Sequence, residues 1–405
     1  MNYDQIIKST IKENNSKIVL LVLDGVGDIR NPHFKNKTPL EYATIPNLHA
    51  LAAQSALGRS YPVLPGITPG SGPGHLGLFG YDPTNTIIGR GVLEAVGLGL
   101  ELRNGDVATR CNFSTMDDHG LITDRRAGRI STEATEVLCE ILSEVKEIDC
   151  VEIIIKPSKG HRFVIIFRSQ SDEIGAMIHD TDPLGEGLAP ISAVGQNPPS
   201  QFLASVINKF VKIGFEKLHD QSPANSFLMR GFSSKPKLPS LREKYLLEPA
   251  AIATYPMYRG IASLLGMKLL PAPDSIEGLF ESYAIHRQKY DFFFIHVKGT
   301  DQAGEDGDFE AKVSCLESVD KALPLLMANK PDVLAITADH SSPCAMRSHS
   351  FHPVPILIHS EFCGVDDVVK FHENACNTGS LGFFESKYLM GLLLANAKRL
   401  DKFGA

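Results

Sequence analysis

The residues Ile18-Val-Leu-Leu-Val-Leu23 form an apolar run without alternation, and the run stops at Asp24-Gly25. A strand with one wet face alternates apolar and polar residues. Six apolar residues in succession predict a strand buried on both faces, as in a parallel sheet covered by helices. Asp24 then falls at the strand's carboxyl end, where open α/β sheets bind their ligands. A carboxylate placed there is costly unless something positive meets it, and a metal ion is the partner this position suggests.

The same pattern returns three times in the last third of the chain. Asp291-Phe-Phe-Phe-Ile-His-Val297 leads to Lys298-Gly-Thr-Asp301-Gln-Ala-Gly-Glu305, and Asp332-Val-Leu-Ala-Ile-Thr-Ala338 leads directly to Asp339-His340. Val354-Pro-Ile-Leu-Ile358 follows His349 and His352. Helical stretches over 310–327 and 386–400 alternate with these strands, which argues for a mainly parallel sheet with helices on both faces. Near the start, 45–57 reads as a helix with Pro46 in its first turn. It leads into a glycine- and proline-dense passage, Leu64-Pro-Gly-Ile-Thr-Pro-Gly-Ser71-Gly-Pro-Gly-His75-Leu-Gly-Leu-Phe-Gly80. Composition alone would make that passage a linker. The segment from His75 instead reads as the first turn of a helix, which puts Ser71 near a helix N-terminus, where backbone N–H groups favour an anion.

From about Thr84 to Lys235 the texture changes. Strands are expected at 151–155 and 163–167 and helices at 133–147 and 201–215, with a return linker at 232–240. This region carries Arg110 and the cluster Asp124-Arg125-Arg126-Ala-Gly-Arg129. Such a cluster is commonly a solvated charged face. Forked guanidiniums also recognise carboxylate and phosphate in bidentate geometry, which is what a small, multiply anionic metabolite requires.

Any one Asp or His after a strand is ordinarily a hydrogen-bonded loop residue. Jointly, Asp24, Asp301 with Glu305, Asp339-His340 and His349 bring carboxylates and imidazoles to one sheet edge, which hydrophobic packing does not need. Mixed O/N donors suit zinc, manganese or another borderline to hard divalent ion. Six donors exceed what one ion takes, and a pair roughly 3.5–4 Å apart clamps the attacking and leaving oxygens of an in-line displacement. Ser71 supplies a hydroxyl nucleophile, which needs a base or a metal to activate it.

Composition narrows the function classes. The 405 residues suffice for two or three domains. A net charge of −7 with no long basic stripe argues against nucleic acid. Seven scattered cysteines without a CxxC pair fit reduced thiols. The polar first residues show no signal-peptide pattern, and no apolar run approaches the about 18 residues of a membrane span. The expectation is a cytoplasmic protein, with no membrane partner and an oligomeric state left open. No GxGxxG follows the first strand, so a dinucleotide-binding dehydrogenase has no support.

The motifs LVLDGVGD, PGSGPGHLGLFGYDP, GRGVLEAVGLGLEL, RCNFST, TDRRAGRI, HDTDP, HVKGTD, ADHSSPC and HSFHPVPILI span nearly the whole chain after the first fifteen residues or so. In these the chain resembles the archaeal-type, cofactor-independent (2,3-bisphosphoglycerate-independent) phosphoglycerate mutases of the alkaline phosphatase superfamily. The resemblance implies an alkaline-phosphatase-like α/β core over 15–83 and 236–405 that binds metal, and an inserted smaller α/β substrate-binding domain over 84–235. It implies 3-phosphoglycerate to 2-phosphoglycerate interconversion with Ser71 as the phosphoryl carrier, the inserted domain closing to keep water from the phosphoserine. Asp24, Ser71, Asp339 and His340 would hold one ion, and Asp301 and His349 the other. The ions would be manganese, with zinc, cobalt or magnesium as substitutes, and no 2,3-bisphosphoglycerate would be needed. Arg110, Asp124, Arg125, Arg129 and Arg230 would bind the phosphorylated acid from the insertion. Arg259 stands where lysine is expected, and either residue can meet a phosphate. His75 would support the serine turn.

One departure stands out. Glu305 occupies the position where the family usually has a histidine, four residues after the aspartate of KGTD. A glutamate can ligate manganese and make the set harder; His352 is a further candidate donor. The departure also keeps open a phosphatase or a phosphotransferase acting on another small alcohol such as homoserine, and a relative that only binds a metal or an anion.

Overall fold

The computed structural model of the chain describes residues 1–86, 88–170 and 173–404. The chain divides into two compact units, residues 1–87 with 238–405, and residues 88–237. In chain order the strands are β1 (Ile18–Leu23), β2 (Ala56–Tyr61), β3 (Val107–Met116), β4 (Ile122–Asp124), β5 (Glu147–Ile148), β6 (Val151–Pro157), β7 (Arg162–Ser169), β8 (Ser226–Ser234), β9 (Pro249–Ile252), β10 (Lys268–Leu269), β11 (Phe292–Val297), β12 (Val333–Thr337), β13 (Val354–Ser360) and β14 (Gly382–Glu385).

The first unit is built on one sheet in the order β10-β9-β11-β1-β12-β13-β2-β14. It is parallel from β10 to β12 and across β2–β14; β13 runs antiparallel to β12 and to β2. Every residue of β1, β11 and β12 is buried, so both faces of the sheet's centre are covered, as the uninterrupted apolar runs require. On one face Val19, Leu21, Phe293, Ile295 and Ile336 share a core with Leu316, Val319 and Leu323 of the helix Phe309–Ala328. The register positions the site. Leu23 pairs with Val297 and Val22 with Thr337, so three strands end level with one another. Asp24, Lys298 and Asp339 all emerge within two residues of that edge, and Asp301 follows on the helix Gly299–Asp306.

The second unit carries a six-stranded sheet, antiparallel throughout, in the order β4-β3-β7-β6-β5 with β8 along the other side of β3. Phe113, Phe163 and Phe227 pack with Leu138 and Leu142 of the helix Thr132–Leu142 and with Leu203, Ile207 and Phe210 of the helix Pro198–Leu218. Among the described residues no helix is long and apolar enough to cross a membrane.

Some elements differ from expectation. The helix expected over 45–57 stops at Ala52, where Ser55 Oγ turns back to the Leu51 carbonyl, and Ala56 and Leu57 open β2. Buried Arg59 disguised that strand: its guanidinium bonds the carbonyls of Glu373 and Pro353 and the Asn377 amide oxygen. The helix expected over 133–147 ends at Leu142, capped at Ser143, and Glu147–Ile148 forms β5. Residues 232–234, read as linker, complete β8. The stretch 386–400 is a 3-10 turn followed by a helix over Leu389–Asn396 only.

Candidate active site

Two trios of donor atoms meet at the carboxyl edge of the first sheet: Asp24, Asp339 and His340, all buried, and Asp301, His340 and His349. Within each trio the atoms lie within 4.8 Å of one another. His340 Nε2 lies 3.2 Å from Asp24 Oδ1, 3.2 Å from Asp339 Oδ2 and 3.9 Å from Asp301 Oδ1. His349 Nε2 is 3.6 Å from Asp301 Oδ1, and its ring stacks on that of His340 at 3.6 Å between centroids. Asp24 Oδ1 and Asp339 Oδ2 are buried without a hydrogen-bond partner among the described residues. Buried carboxylate oxygens that converge with an imidazole and lack hydrogen bonds fit a divalent cation.

Ser71 is the first residue of the helix Ser71–Leu78, with its Oγ 3.4 Å from His340 Nε2. The glycines of this turn have a packing reason. A Cβ on Gly74 would stand 2.1 Å from the Asp339 carbonyl oxygen, so only glycine lets the serine-bearing helix come so close to the Asp339–His340 loop. Gly25 has φ +60°, and a Cβ there would meet Asp301 Oδ1 at 2.8 Å.

Residues around the trios hold the carboxylates in place. Tyr258 donates its hydroxyl to Asp24 Oδ2 at 2.6 Å, His296 Nε2 lies 3.4 Å from the same oxygen, and Lys298 Nζ lies 3.0 Å from it while also bonding Asp301. His75, fully buried, places Nδ1 2.8 Å from the Ser71 carbonyl and 3.2 Å from Asp339 Oδ2, so it ties the serine turn to a ligand loop. Burial would push the Asp24 carboxyl up, but His296 and His340 outweigh it and hold the group well below the carboxylate range. Burial likewise opposes the charge on His340, yet Asp339 and Asp24 push it up to about 9. Burial and Asp24 raise the Tyr258 hydroxyl, so it stays a donor.

The remaining sequence candidates of this unit fall at its margins. Glu305 lies outside both trios; its side chain is 53% exposed, with Oε1 3.6 Å from His349 Nε2. His352 is in neither trio, and its Nδ1 faces Ser350 Oγ at 3.0 Å. Arg259 follows Tyr258 on the helix Pro256–Leu264 and donates to the Ala253 carbonyl.

In the second unit Arg110 on β3 stands directly opposite Arg230 on β8. Like charges opposed across a ladder repel. Burial, Arg90, Arg162 and Arg230 all lower the pKa of Arg110. The Nε atoms of Arg110 and Arg230 are buried without a hydrogen-bond partner among the described residues, although Arg230 Nε has Asp180 Oδ2 at 3.6 Å. Burial and four arginines (162, 126, 110 and 129) push His161 down to about 4. A guanidinium cluster with donors to spare suits an anion. Asp124 lines the same hollow as the arginines, and its carboxylate accepts from the backbone N–H of Arg126 and Gly128 at 2.7 and 2.6 Å and so shapes the arginine loop. Arg125 forks onto Asp182 at 2.9 and 2.6 Å. Arg125 and Arg129 line a hollow of about 540 Å³ with Arg126 and Glu186.

Sequence reasoning missed Lys298, Tyr258 and His296. Lys298 lay inside the HVKGTD motif, and Tyr258 precedes the arginine that was singled out. His296 is the one polar side chain in an otherwise apolar run, which was its signal.

Comparison with known proteins gives a consistent picture. The family model for 2,3-bisphosphoglycerate-independent phosphoglycerate mutase matches residues 52–225. A probable 2,3-bisphosphoglycerate-independent phosphoglycerate mutase of Aquifex aeolicus is 46% identical over 407 residues, covering 99% of this chain and all of that one. One from Thermosipho melanesiensis is 48% identical, covering 99% of both. Among solved structures, the cofactor-independent phosphoglycerate mutase of Thermoplasma acidophilum is 30% identical with a TM-score of 0.74, over 94% of this chain and all of that one. A Pyrococcus horikoshii protein is 28% identical with a TM-score of 0.83, over 96% of this chain and 99% of that one.

Proposed function

The chain belongs to the 2,3-bisphosphoglycerate-independent phosphoglycerate mutase family, and we propose that it interconverts 3-phosphoglycerate and 2-phosphoglycerate through a phosphoserine on Ser71. The observation that carries this is the placement of Ser71 Oγ at a helix start, 3.4 Å from the imidazole shared by the two Asp/His trios.

Asp24, Ser71, Asp339 and His340 would hold one divalent ion. Asp301 and His349, with Glu305 at the rim, would hold the second; manganese is the expected metal. Bound there, the ions would lower the pKa of the serine hydroxyl and offset charge on the phosphoryl oxygens. The rest falls to the chain's own groups. Ser71 Oγ gives up its proton and bonds to phosphorus as the bond from phosphorus to the substrate oxygen breaks, and that oxygen takes up a proton. The backbone N–H groups at the start of the Ser71 helix would add fixed positive charge where the phosphoryl group forms its serine ester, and the Lys298 ammonium offsets the charge of Asp24 and Asp301. Arg110 and Arg230, together with Arg125 and Arg129, would hold the carboxylate and hydroxyls of the glycerate. The glycerate turns over and its other hydroxyl attacks the phosphoserine, which returns Ser71 to its starting state. Water reaching the phosphoserine would instead release phosphate, and excluding it separates a mutase from a phosphatase.

Free cysteines at all seven positions suit a reducing compartment, which we take to be the cytoplasm. The test is an enolase-coupled assay on 3-phosphoglycerate across divalent ions, with phosphate release followed in parallel. Mutase turnover far above phosphate release supports the reading; phosphate release without mutase turnover overturns it.

A further inference from the structure

Lys312 lies on the helix Phe309–Ala328 with no solvent exposure. Burying an ammonium is costly unless every donor is met, and here they are. Its Nζ lies 2.9 Å from the Gly25 carbonyl, 3.4 Å from the Gly27 carbonyl, 2.8 Å from the Ser342 carbonyl and 2.9 Å from Asp28 Oδ2. These acceptors come from two loops, one leaving β1 after Asp24 and one leaving β12 after Asp339–His340. The loops also touch directly: Ser342 N–H donates to the Gly25 and Gly27 carbonyls, and Gly25 N–H to Asp339 Oδ1. Ser342 Oγ in turn donates to Asp301 Oδ1 at 2.5 Å and lies 3.1 Å from His340 Nδ1. Asp28 Oδ2, the counter-charge, also accepts from Cys344 N–H.

The ammonium thus sits one residue from Asp24, two residues from His340, and one hydrogen bond beyond Ser342 from Asp301. Among the described residues its hydrogen bonds go to three backbone carbonyls and one carboxylate, which occupies its N–H groups within the protein. We propose that Lys312 is a positioning residue, an internal cation that fixes the two loops against each other and so sets the spacing of the cation donors. The inference rests on the proposed cation centre. It differs from a general packing role in one respect: the spacing of donors governs cation affinity, whereas a core contact governs only unfolding. Residues that orient metal ligands from outside the ligand shell have this signature.

The test is Mn²⁺ binding to the full chain, read from the fall of the free-ion EPR signal, on wild type, Lys312→Met and Asp28→Asn, with circular dichroism to establish folding. The expected result is Mn²⁺ affinity weaker by roughly 10- to 100-fold in folded Lys312→Met, the range for residues that orient metal ligands. Asp28→Asn, which keeps the lysine but removes its counter-charge, is expected to shift affinity in the same direction by less. Folded Lys312→Met with wild-type affinity and only a lower melting temperature overturns the inference alone. If Lys312→Met does not fold, wild-type affinity in Asp28→Asn overturns it. Wild type that binds no Mn²⁺ sinks the cation centre and this inference with it.

Discussion

Two histidines report opposite fields in the two units. In the first, Asp339 and Asp24 drive His340 up to about 9 against its burial. In the second, burial and four surrounding arginines drive His161 down to about 4. The first field is made by buried acids, with Asp24 Oδ1 and Asp339 Oδ2 lacking a hydrogen-bond partner among the described residues, and the second by burial together with the guanidiniums of Arg162, Arg126, Arg110 and Arg129. The contrast is the one the proposed reaction asks for, with cations held by the first unit and an anionic substrate met by the arginines of the second.

The comparison can be broken or sharpened, beginning with the largest effect. Ser71→Ala should lower kcat by roughly 10⁵-fold or more, the scale on which loss of a covalent nucleophile acts, with phosphate still bound and Mn²⁺ held more weakly at the one site that loses the hydroxyl; residual turnover near wild type would remove Ser71 from the chemistry. Asp339→Asn takes away one donor of the buried trio. It should abolish activity at micromolar Mn²⁺ with partial recovery at high Mn²⁺, and should leave anion binding by the arginine unit intact.

Next comes Arg110→Met or Arg230→Met. Each removes a charge-assisted contact, so kcat/KM should fall roughly 10- to 100-fold, the equivalent of about 1.5–3 kcal/mol. Mn²⁺ affinity should stay where it was. A change in Mn²⁺ affinity with unchanged kcat/KM would erase the division of labour between the units.

The pH dependence of His161 is subtler. Its folded pKa lies below its unfolded value, so the native state binds fewer protons in the window between about 4 and 6.5. Stability from this group is present above that window and is lost as pH falls through it. Inorganic phosphate bound at the arginines should raise the pKa of His161, which an NMR titration reads directly. A pKa that phosphate leaves unmoved would detach His161 from the anion site. The smallest effect is expected for Glu305→Gln. The side chain is 53% exposed, so its charge is worth at most about 1 kcal/mol and the weaker of two Mn²⁺ affinities should shift less than about fivefold. A larger loss would make Glu305 a full ligand rather than a rim group.

The legible part of this molecule was the part built from uninterrupted apolar runs. Ile18–Leu23 could be read residue for residue, and the strands at 292–297 and 333–337 nearly so, because both faces are covered and no alternation blurs the signal. Their equal ends then bring Asp24, Asp339 and Asp301 together. What escaped was held by tertiary contacts that leave no local trace. β2 carries a buried arginine whose partners lie near residues 353–377, far along the chain. The part Asp124 plays in shaping its own loop, through the N–H groups of Arg126 and Gly128, left no trace in the sequence either. Lys298, Tyr258 and Lys312 read as ordinary polar residues until the fold places them against carboxylates and carbonyls.

The covalent step is tested most directly by acid-quenching the manganese-loaded enzyme during turnover of 3-phosphoglycerate and mapping phosphopeptides by mass spectrometry. The account predicts one phosphoryl group on the peptide containing Ser71, absent without substrate. Steady mutase turnover with that peptide unmodified, or with the phosphoryl group on another residue, would contradict it.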